Sequence, residues 1–184
     1  PDRAVTTHFA DPGSTALGRM AQQLPVTHAE SSRVRMLDTG AEAFMERAAL
    51  IEAAEHSIDA QYYMWHSDGV GMALFGALWR AADRGVRVRL LLDDNNTSGQ
   101  DGTIAALDAH PNIEVRLYNP LFHRRIRAVN YLTDLKRLNR RMHNKSLTVD
   151  NQATVVGGRN IGDEYFAAGE GTWFRDVDVM AVGQ

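Results

Sequence analysis

The sequence contains no cysteine, which excludes disulfide frameworks, thiolate zinc sites and a cysteine nucleophile. It also lacks any apolar run of about 18 residues, so a membrane-spanning helix is not expected. Its charges nearly balance, with a net charge of −3, and bulk charge therefore does not make it a polyanion-binding protein. Hydrophobic residues form 44% of the 184 residues, which is too many for a disordered chain and enough for the core of one domain.

Strand and helix patterns alternate along most of the chain. Residues 1–32 are rich in Pro, Gly, Ser, Thr and His, and we expect them to form a mostly irregular arm before one domain at residues 33–184. The predicted strands are Val34–Leu37, Ser57–Trp65, Val86–Leu92 and Ile113–Tyr118, and the predicted helices between them are Ala41–His56, Gly69–Asp83 and Thr103–Ala109. This order predicts an α/β domain with a mixed or mostly parallel sheet flanked by layers of helices.

One segment carries most of the positive charge. Between His123 and Lys145 the local net charge is +7, with Asp134 as the single acid. The basic residues are Arg124, Arg125, Arg127, Lys136, Arg137, Arg140, Arg141 and Lys145. Apolar residues recur every three or four positions through the same stretch. The pattern fits a docked helix with a basic solvated face, or a surface that meets anionic phosphates of lipid head groups or nucleic acid. Spacing alone does not choose between them.

A histidine and a lysine two positions apart are the first candidates for chemistry. Residues 147–149 and 153–156 read as two short strands joined by a turn at residues 150–152. Because side chains alternate along an extended strand, His143 and Lys145 are expected to project to the same side. A neutral imidazole can attack a phosphodiester while the ammonium neutralises a non-bridging oxygen.

The spacing around this pair is more specific than the pair itself. The histidine of a lone His-x-Lys pair is more often a surface or core residue than a catalytic one. Here four residues separate Lys145 from Asp150, and six more lead to Gly157-Gly158-x-Asn160. The glycines would let backbone approach a bound group, and Asn160 could donate an amide hydrogen bond to it.

This run resembles the signature of the phospholipase D superfamily, HxKxxxxD followed by G-(S/G)-x-N. The stretch from Ala48 to Asp94, together with LDAHPNIEVRLYNP, LKRLNRRMHNKSLTVDNQATVVGGRNIGDEYF and FRDVDVMAVG, is similar to the N-terminal half of bacterial cardiolipin synthases, in particular the cardiolipin synthase C branch. The resemblance covers about Val34 to Gly183 and implies a phospholipase D-like layered sandwich. One departure is Gly158, where many relatives carry Ser.

The resemblance implies a role for each matched position. His143 would become phosphohistidine or act as its acid/base partner. Lys145 and Asn160 would bind phosphate oxygens beside Gly158. Asp150 would tie down the turn near the motif rather than act on substrate. No metal and no cofactor is implied.

An acidic residue is also expected to hydrogen-bond the imidazole. Members of the superfamily carry one some thirty positions after the histidine, and Asp176 is the candidate here. Such a bond would fix the tautomer and support the imidazolium. Asp178 is a second choice, because strand alternation would put it on the same face.

The implied reaction is phosphatidyl transfer between phospholipids through a phosphohistidine. Phosphatidylglycerol and a second phospholipid would be the partners, and the protein would be peripheral at the bacterial inner membrane. Arg137, Arg140 and Arg141 would then face anionic lipid. The alternatives are a homodimeric phosphodiesterase or endonuclease acting on nucleic acid, which the closer likeness to the synthases disfavours, and a non-catalytic lipid-binding domain.

The chain holds only one such motif. Its two lysines are Lys136 and Lys145, and the residue two before Lys136 is Asp134, so a second His-x-Lys cannot exist here. Superfamily chemistry needs two facing motifs. We therefore expect the second half-site to come from a C-terminal half outside this chain or from a second copy.

Three other groups of polar or aromatic residues have plainer interpretations. His56 is interpreted as a cap at the end of a helix. His66, with the aromatic residues before it, is more consistent with core packing than with a lipid cleft. Asp93-Asp94 at a strand end is interpreted as a turn cap rather than a metal pair, because no third ligand matches.

Overall fold

The computed structural model describes residues 5–24, 32–122 and 135–183. Its strands are β1 (Arg33–Leu37), β2 (Ser57–Tyr62), β3 (Arg87–Asp93), β4 (Ile113–Tyr118), β5 (Lys145–Val149), β6 (Ala153–Gly157) and β7 (Asp178–Val182). Its α-helices are α1 (Ala16–Gln23), α2 (Gly40–Ala53), α3 (Gly69–Asp83), α4 (Asp101–Asp108) and α5 (Leu135–Leu138). Within these ranges the seven strands form one sheet in the order β1-β7-β6-β5-β2-β3-β4.

The sheet is mixed, as predicted. The pairs β2–β3 and β3–β4 are parallel, and helices α3 and α4 make the crossover connections that parallel pairs require. The remaining neighbours pair antiparallel. This α/β layered arrangement confirms the predicted fold class. None of the helices in the described residues has the length and hydrophobicity needed to cross a bilayer.

Helix ends follow local capping chemistry. Helix α2 begins at a capping box in which the Thr39 side chain accepts from the Glu42 N–H and the Glu42 carboxylate accepts from the Thr39 N–H. Helix α3 begins where the Asp68 carboxylate accepts from the Gly71 N–H. It ends just before Gly85, whose φ of 95° is readily adopted only by glycine. The predicted end of α3 is therefore confirmed.

The core lies between the sheet and helices α2 and α3. Alternate residues of the central strands are buried, among them Ile58, Leu90 and Leu147. The Trp65 ring stacks on Phe75 with centroids 4.5 Å apart. Tyr62 and Trp65 therefore pack in the core, as predicted. Tyr63 is only partly buried and the His66 side chain is 38% exposed, so the core-packing interpretation is wrong for these two residues.

The predicted irregular arm is wrong in its described part. Residues 5–24 include helix α1 and a short 3-10 turn at Pro12–Ser14. The Thr15 hydroxyl accepts from the Gly18 N–H at 2.9 Å and caps α1, a signal that was present in the sequence. The arm also docks on the domain, because the Phe9 ring stacks on the His56 ring at 4.3 Å. The imidazole of His56 thus stacks on the arm.

Candidate active site

A buried aspartate holds the turn that follows the motif strand. Asp150 and Asn151 adopt positive φ angles of 51° and 52°, and the Asp150 side chain is fully buried. Its carboxylate accepts from the backbone N–H groups of Glu55 at 2.9 Å and of His56 and Ser57 at 2.8 Å. These bonds take the N–H groups that would extend α2, which explains why the helix ends before the predicted His56. Asp150 therefore joins the β5–β6 turn to the start of β2, a structural role.

A second buried aspartate anchors the segment just before the histidine. The Asp93 carboxylate accepts from the Met142 N–H at 2.9 Å and pairs with the Arg141 guanidinium at 2.8 Å. It also caps the turn after β3 through the Asn95 N–H. Neighbouring Asp94 accepts from the Leu121 N–H at 2.7 Å. The capping interpretation of this acidic pair is confirmed, and its anchoring of the motif was not anticipated.

The motif histidine and lysine are in direct contact. His143 is exposed at the entrance to β5, and Lys145, its first residue, is only 7% exposed. The Lys145 Nζ lies 3.2 Å from His143 Nδ1 and donates to the His143 carbonyl at 3.0 Å. The two side chains therefore project to the same side of the chain, as the strand alternation predicted.

An aromatic ring lines this pair. The Tyr63 ring centroid lies 4.9 Å from the His143 ring and 5.7 Å from the Lys145 Nζ. Burial lowers the pKa of Lys145, and the negative charge of Asp176 offsets part of this effect. The ammonium is thus poorly solvated by its own surroundings, which favours its pairing with an incoming anion.

The contact with lysine also sets the histidine tautomer. An ammonium has only donors, so Nδ1 of His143 must accept in this pair. The single ring proton of a neutral imidazole then lies on Nε2. In this resting arrangement Nδ1 is not available to donate to a carboxylate.

Asn160 is buried and its amide is oriented from both ends. Its Oδ1 accepts from the Met64 N–H at 3.1 Å, and its Nδ2 donates to the Tyr165 hydroxyl at 3.0 Å. The bond to Met64 ties the Gly-Gly-x-Asn loop to the chain leaving β2. One Nδ2 hydrogen remains outside the Tyr165 bond, so Asn160 keeps a donor for a bound oxygen.

The two glycines make room for two carboxylates of this chain. A Cβ at Gly157 would overlap the carboxylate of Asp178, and a Cβ at Gly158 would overlap that of Asp176. The sequence interpretation, backbone approach to a bound group, missed this packing. The carboxylate of Asp176 fills the space that a side chain at Gly158 would need.

Asp178, the second choice as imidazole partner, was a wrong prediction. Its side chain is fully buried and pairs with Arg47 at 2.9 Å and with Arg159 at 3.4 Å. Arg159 lies between Gly158 and Asn160 in the sequence, and its backbone N–H donates to the same carboxylate at 3.2 Å. This buried triad therefore holds the Gly-Gly-x-Asn loop to α2 and β7.

The two arginines of the triad also donate hydrogen bonds to neutral acceptors. Arg47 donates to the Tyr62 hydroxyl at 3.0 Å and to the Ala43 carbonyl at 2.9 Å. Arg159 donates to the carbonyls of Leu37 at 3.0 Å and Asp38 at 2.8 Å. Burial raises the pKa of the Tyr62 phenol, so it stays a neutral acceptor for Arg47. Isolated arginines give no periodic signal, and sequence reasoning had no means to find this triad.

Asp176, the first choice as imidazole partner, lies beside the site and is partly exposed. Its carboxylate accepts from the Val177 N–H at 2.9 Å and lies against Gly158. Among the hydrogen bonds of the described residues, none joins it to the His143 ring. The bond between Asp176 and the His143 imidazole therefore remains a prediction.

The three arginines predicted to face anionic lipid differ in their surroundings. Arg140 is exposed. Arg137 lies over the Phe122 ring at 4.7 Å and donates to the Pro120 carbonyl at 3.0 Å. Arg141 is 15% exposed and is paired with the buried Asp93, so the prediction that it forms part of an open anionic-lipid surface is wrong. Arg124, Arg125, Arg127 and Asp134 lie outside the described residues.

One group of side chains has metal-ligand character in the part of the chain that the structure describes. The ligand atoms of His66, Asp68 and Glu164 lie within 4.8 Å of one another. The two Asp68 oxygens already accept from the Gly71 and Asp163 N–H groups. His66 is paired with Glu164 at 3.2 Å. These contacts account for the cluster, and the expectation that no metal takes part stays a prediction.

Comparison with known proteins identifies the family. The family described as "Cardiolipin synthase, PLD-like domain" matches residues 48–173. Because the match covers well over half of the chain, the chain belongs to this family of phospholipase D-like domains.

Two curated relatives and two solved structures agree with this assignment. The chain is 60% identical to cardiolipin synthase C of Escherichia coli K12 over 80% of this chain and 31% of that protein. It is 31% identical to a cardiolipin synthase of Geobacillus kaustophilus over 100% of this chain and 38% of that protein. The chain thus spans about a third of the length of these relatives.

The structural neighbours show the fold. NucT from Helicobacter pylori has a TM-score of 0.61 and 18% identity, covering 83% of this chain and 86% of that chain. Nuc from Salmonella typhimurium, a phospholipase D family member, has a TM-score of 0.56 and 22% identity over 84% of each chain. The phospholipase D-like fold predicted from the motif is confirmed.

The two aspartates near the glycines should differ in their contribution to the stability of the fold. Asp178→Asn leaves two buried guanidinium groups without their counter-charge and should lower the free energy of unfolding by roughly 3–5 kcal/mol. Asp176→Asn, the matched control two residues away, should change it by less than about 0.5 kcal/mol. Urea unfolding of both variants measures this, and equal stability losses would contradict the assigned roles.

The buried lysine should give a pH-dependent stability difference. The unfolded chain holds the Lys145 proton up to about the usual pKa of 10.5, and the folded chain releases it at lower pH. The unfolded state therefore binds more protons between these pKa values, and stability rises with pH there. Relative to Lys145→Met, the wild type should gain stability as pH rises through this window. Urea unfolding at several pH values checks this, and a pH-independent difference would contradict it.

Proposed function

We propose that this chain supplies one half-site of a phospholipase D-type phosphatidyltransferase that forms cardiolipin. The observation that carries the proposal is the contact of the poorly solvated Lys145 ammonium with the exposed His143 ring, 3.2 Å apart, next to Asn160. This arrangement offers a nucleophile or acid together with donors for phosphate oxygens. The cardiolipin synthase relatives supply the reaction class.

Substrate binding would reorganise this pair. A phosphate oxygen that takes the Lys145 ammonium competes with His143 Nδ1 for the same donor. Once released, Nδ1 can carry the ring proton and donate it in a hydrogen bond to Asp176, which leaves Nε2 unprotonated and nucleophilic. Asp176 would thus support the imidazolium only in the substrate-bound site.

The chemistry then runs in two displacements. Nε2 of one histidine attacks phosphorus, a P–N bond forms, and the P–O bond to the leaving head group breaks. The histidine of the second half-site donates a proton to the leaving oxygen. That histidine next removes the proton from the hydroxyl of the acceptor, whose oxygen displaces the imidazole and regenerates both half-sites. In this scheme His143 can be either the histidine that attacks phosphorus or the histidine that donates the proton.

The second half-site is part of the proposal. This chain spans about a third of the length of its relatives and contains one His-x-Lys motif. We infer that the facing motif comes from another segment of the natural protein or from a second copy. Phosphatidylglycerol is proposed as one substrate and a second phospholipid as the other, at the surface of the bacterial inner membrane.

Replacing the motif histidine tests the reaction. The natural protein that carries this chain should convert phosphatidylglycerol vesicles, with or without phosphatidylethanolamine, to cardiolipin, and His143→Ala should reduce the product at least about a hundredfold. His8→Ala, an exposed histidine in the arm, is the control and should keep full activity. Lipid mass spectrometry gives the product and, from the two mixtures, the acceptor.

A folded natural protein that makes no lipid product would contradict the transferase proposal. Cleavage of DNA by the same preparation would then support the phosphodiesterase alternative, and a steep salt dependence would accompany it.

The exposed arginine before the motif should contribute to membrane binding. Arg140→Gln is expected to weaken binding to phosphatidylglycerol vesicles about fivefold, since a basic residue near an anionic surface contributes about 1 kcal/mol. Arg80→Gln, an equal charge change at an exposed position of α3, should have a smaller effect. Vesicle co-sedimentation measures both, and equal effects would exclude a specific surface at Arg140.

A further inference from the structure

Tyr165 stands next to the motif without an assigned role. It follows the Gly-Gly-x-Asn loop by five residues and belongs to the 3-10 turn Asp163–Tyr165. Its ring packs against Phe174 with centroids 5.1 Å apart. Its backbone carbonyl accepts from the buried Arg159 guanidinium at 3.2 Å. The tyrosine is therefore held by the same triad that holds the loop.

The hydrogen bond to Asn160 fixes the direction of the tyrosine hydroxyl. Because Asn160 Oδ1 accepts from the Met64 N–H, the amide cannot be turned around, and Nδ2 must face Tyr165. An amide nitrogen is only a donor, so the Tyr165 oxygen accepts in this 3.0 Å bond. The hydroxyl proton of Tyr165 is then left to point elsewhere.

Two groups near the motif are electrostatic neighbours of Tyr165. Tyr63, which contacts the His143 ring, and the Asp176 carboxylate both lie close enough to Tyr165 to act on it electrostatically. Asp176 acts in the same way on Lys145 and lies against Gly158. Tyr165 and Lys145 therefore share Asp176 as an electrostatic neighbour, and the 3.0 Å bond from Asn160 places the tyrosine hydroxyl at the Gly-Gly-x-Asn loop.

The hydroxyl is also kept in the form that can donate. Burial and the neighbouring carboxylates of Glu164 and Asp176 raise the pKa of Tyr165. It stays protonated at neutral pH and remains an O–H donor throughout the range in which a phosphodiester is an anion.

We propose that the Tyr165 hydroxyl is a third phosphate donor of this half-site, which binds a non-bridging oxygen beside Lys145 and Asn160. The inference rests on the proposed function in one respect, that the bound group is a phosphodiester. The same bond to Asn160 links the two donors, so that they approach the phosphate as one unit.

The test measures anion binding separately from catalysis. Inorganic phosphate is titrated into the natural protein and followed by NMR. Tyr165→Phe keeps the ring that packs on Phe174 and removes only the hydroxyl, and it should weaken phosphate binding about tenfold, as expected for a hydrogen bond to a charged group. Tyr118→Phe, a partly exposed tyrosine at the end of β4, is the matched control and should leave the affinity unchanged.

A double-variant cycle separates contact from positioning. If Tyr165 touches phosphate, Tyr165→Phe weakens binding in the Asn160→Ala background as well as in the wild type. An effect that disappears in that background would overturn the proposal, since Tyr165 would then act only by orienting Asn160. An unchanged affinity, or no phosphate binding by the unaltered protein, would overturn it too.

The lipid assay keeps the two proposals apart. Phosphate binding that responds to Tyr165→Phe as expected, in a protein that forms no cardiolipin, would retain the phosphate donor and reject the transferase. Cardiolipin formation with full phosphate affinity in Tyr165→Phe would retain the transferase and reject the donor.

Discussion

The buried charge of Asp178 is the constraint on which the site depends. A carboxylate without solvent contact needs counter-charge and hydrogen bonds, and Arg47 from α2 and Arg159 from the glycine loop provide them. The loop cannot leave β7 without exposing two guanidinium groups to an apolar core. The Gly-Gly-x-Asn loop is therefore held in place by a buried ion-pair interaction.

Three further carboxylates make contacts with the segments around the motif. Asp150 joins the motif turn to β2, and Asp93 fixes the backbone one residue before His143. Asp176 lies against the glycine whose missing side chain gives it room. The motif histidine itself is exposed, and the position of its backbone is fixed by the Asp93 contacts before it and the Asp150 contacts after it. These contacts pre-organise the backbone around the motif.

Prediction from sequence succeeded where the signal was local. Alternation and helical spacing located β1 to β4, α2 and α3 to within a few residues, and the HxKxxxxD spacing placed His143 and Lys145 side by side. It failed where the decisive partner was distant. Asp176 and Asp178 are two residues apart in the sequence, yet Asp178 is buried and paired with Arg47, more than a hundred residues away, and Asp176 is partly exposed. No local pattern distinguishes them.

The arm shows the same division between local signals and distant contacts. Thr15 is a local signal for the start of α1, but no local pattern indicates that Phe9 stacks on His56. By itself the sequence determined the order of β1 to β4 and of helices α2, α3 and α4, because these follow from periodicity, and the fixed spacing of the motif carried the resemblance to the family. The tertiary structure alone decided which charges are buried. It also decided that the glycines accommodate carboxylates and that the Tyr165 hydroxyl accepts from the Asn160 amide. The burial and ion pairing of these side chains depend on residues that come into contact only when the sheet packs against its helices. Spacing along the chain does not indicate those contacts.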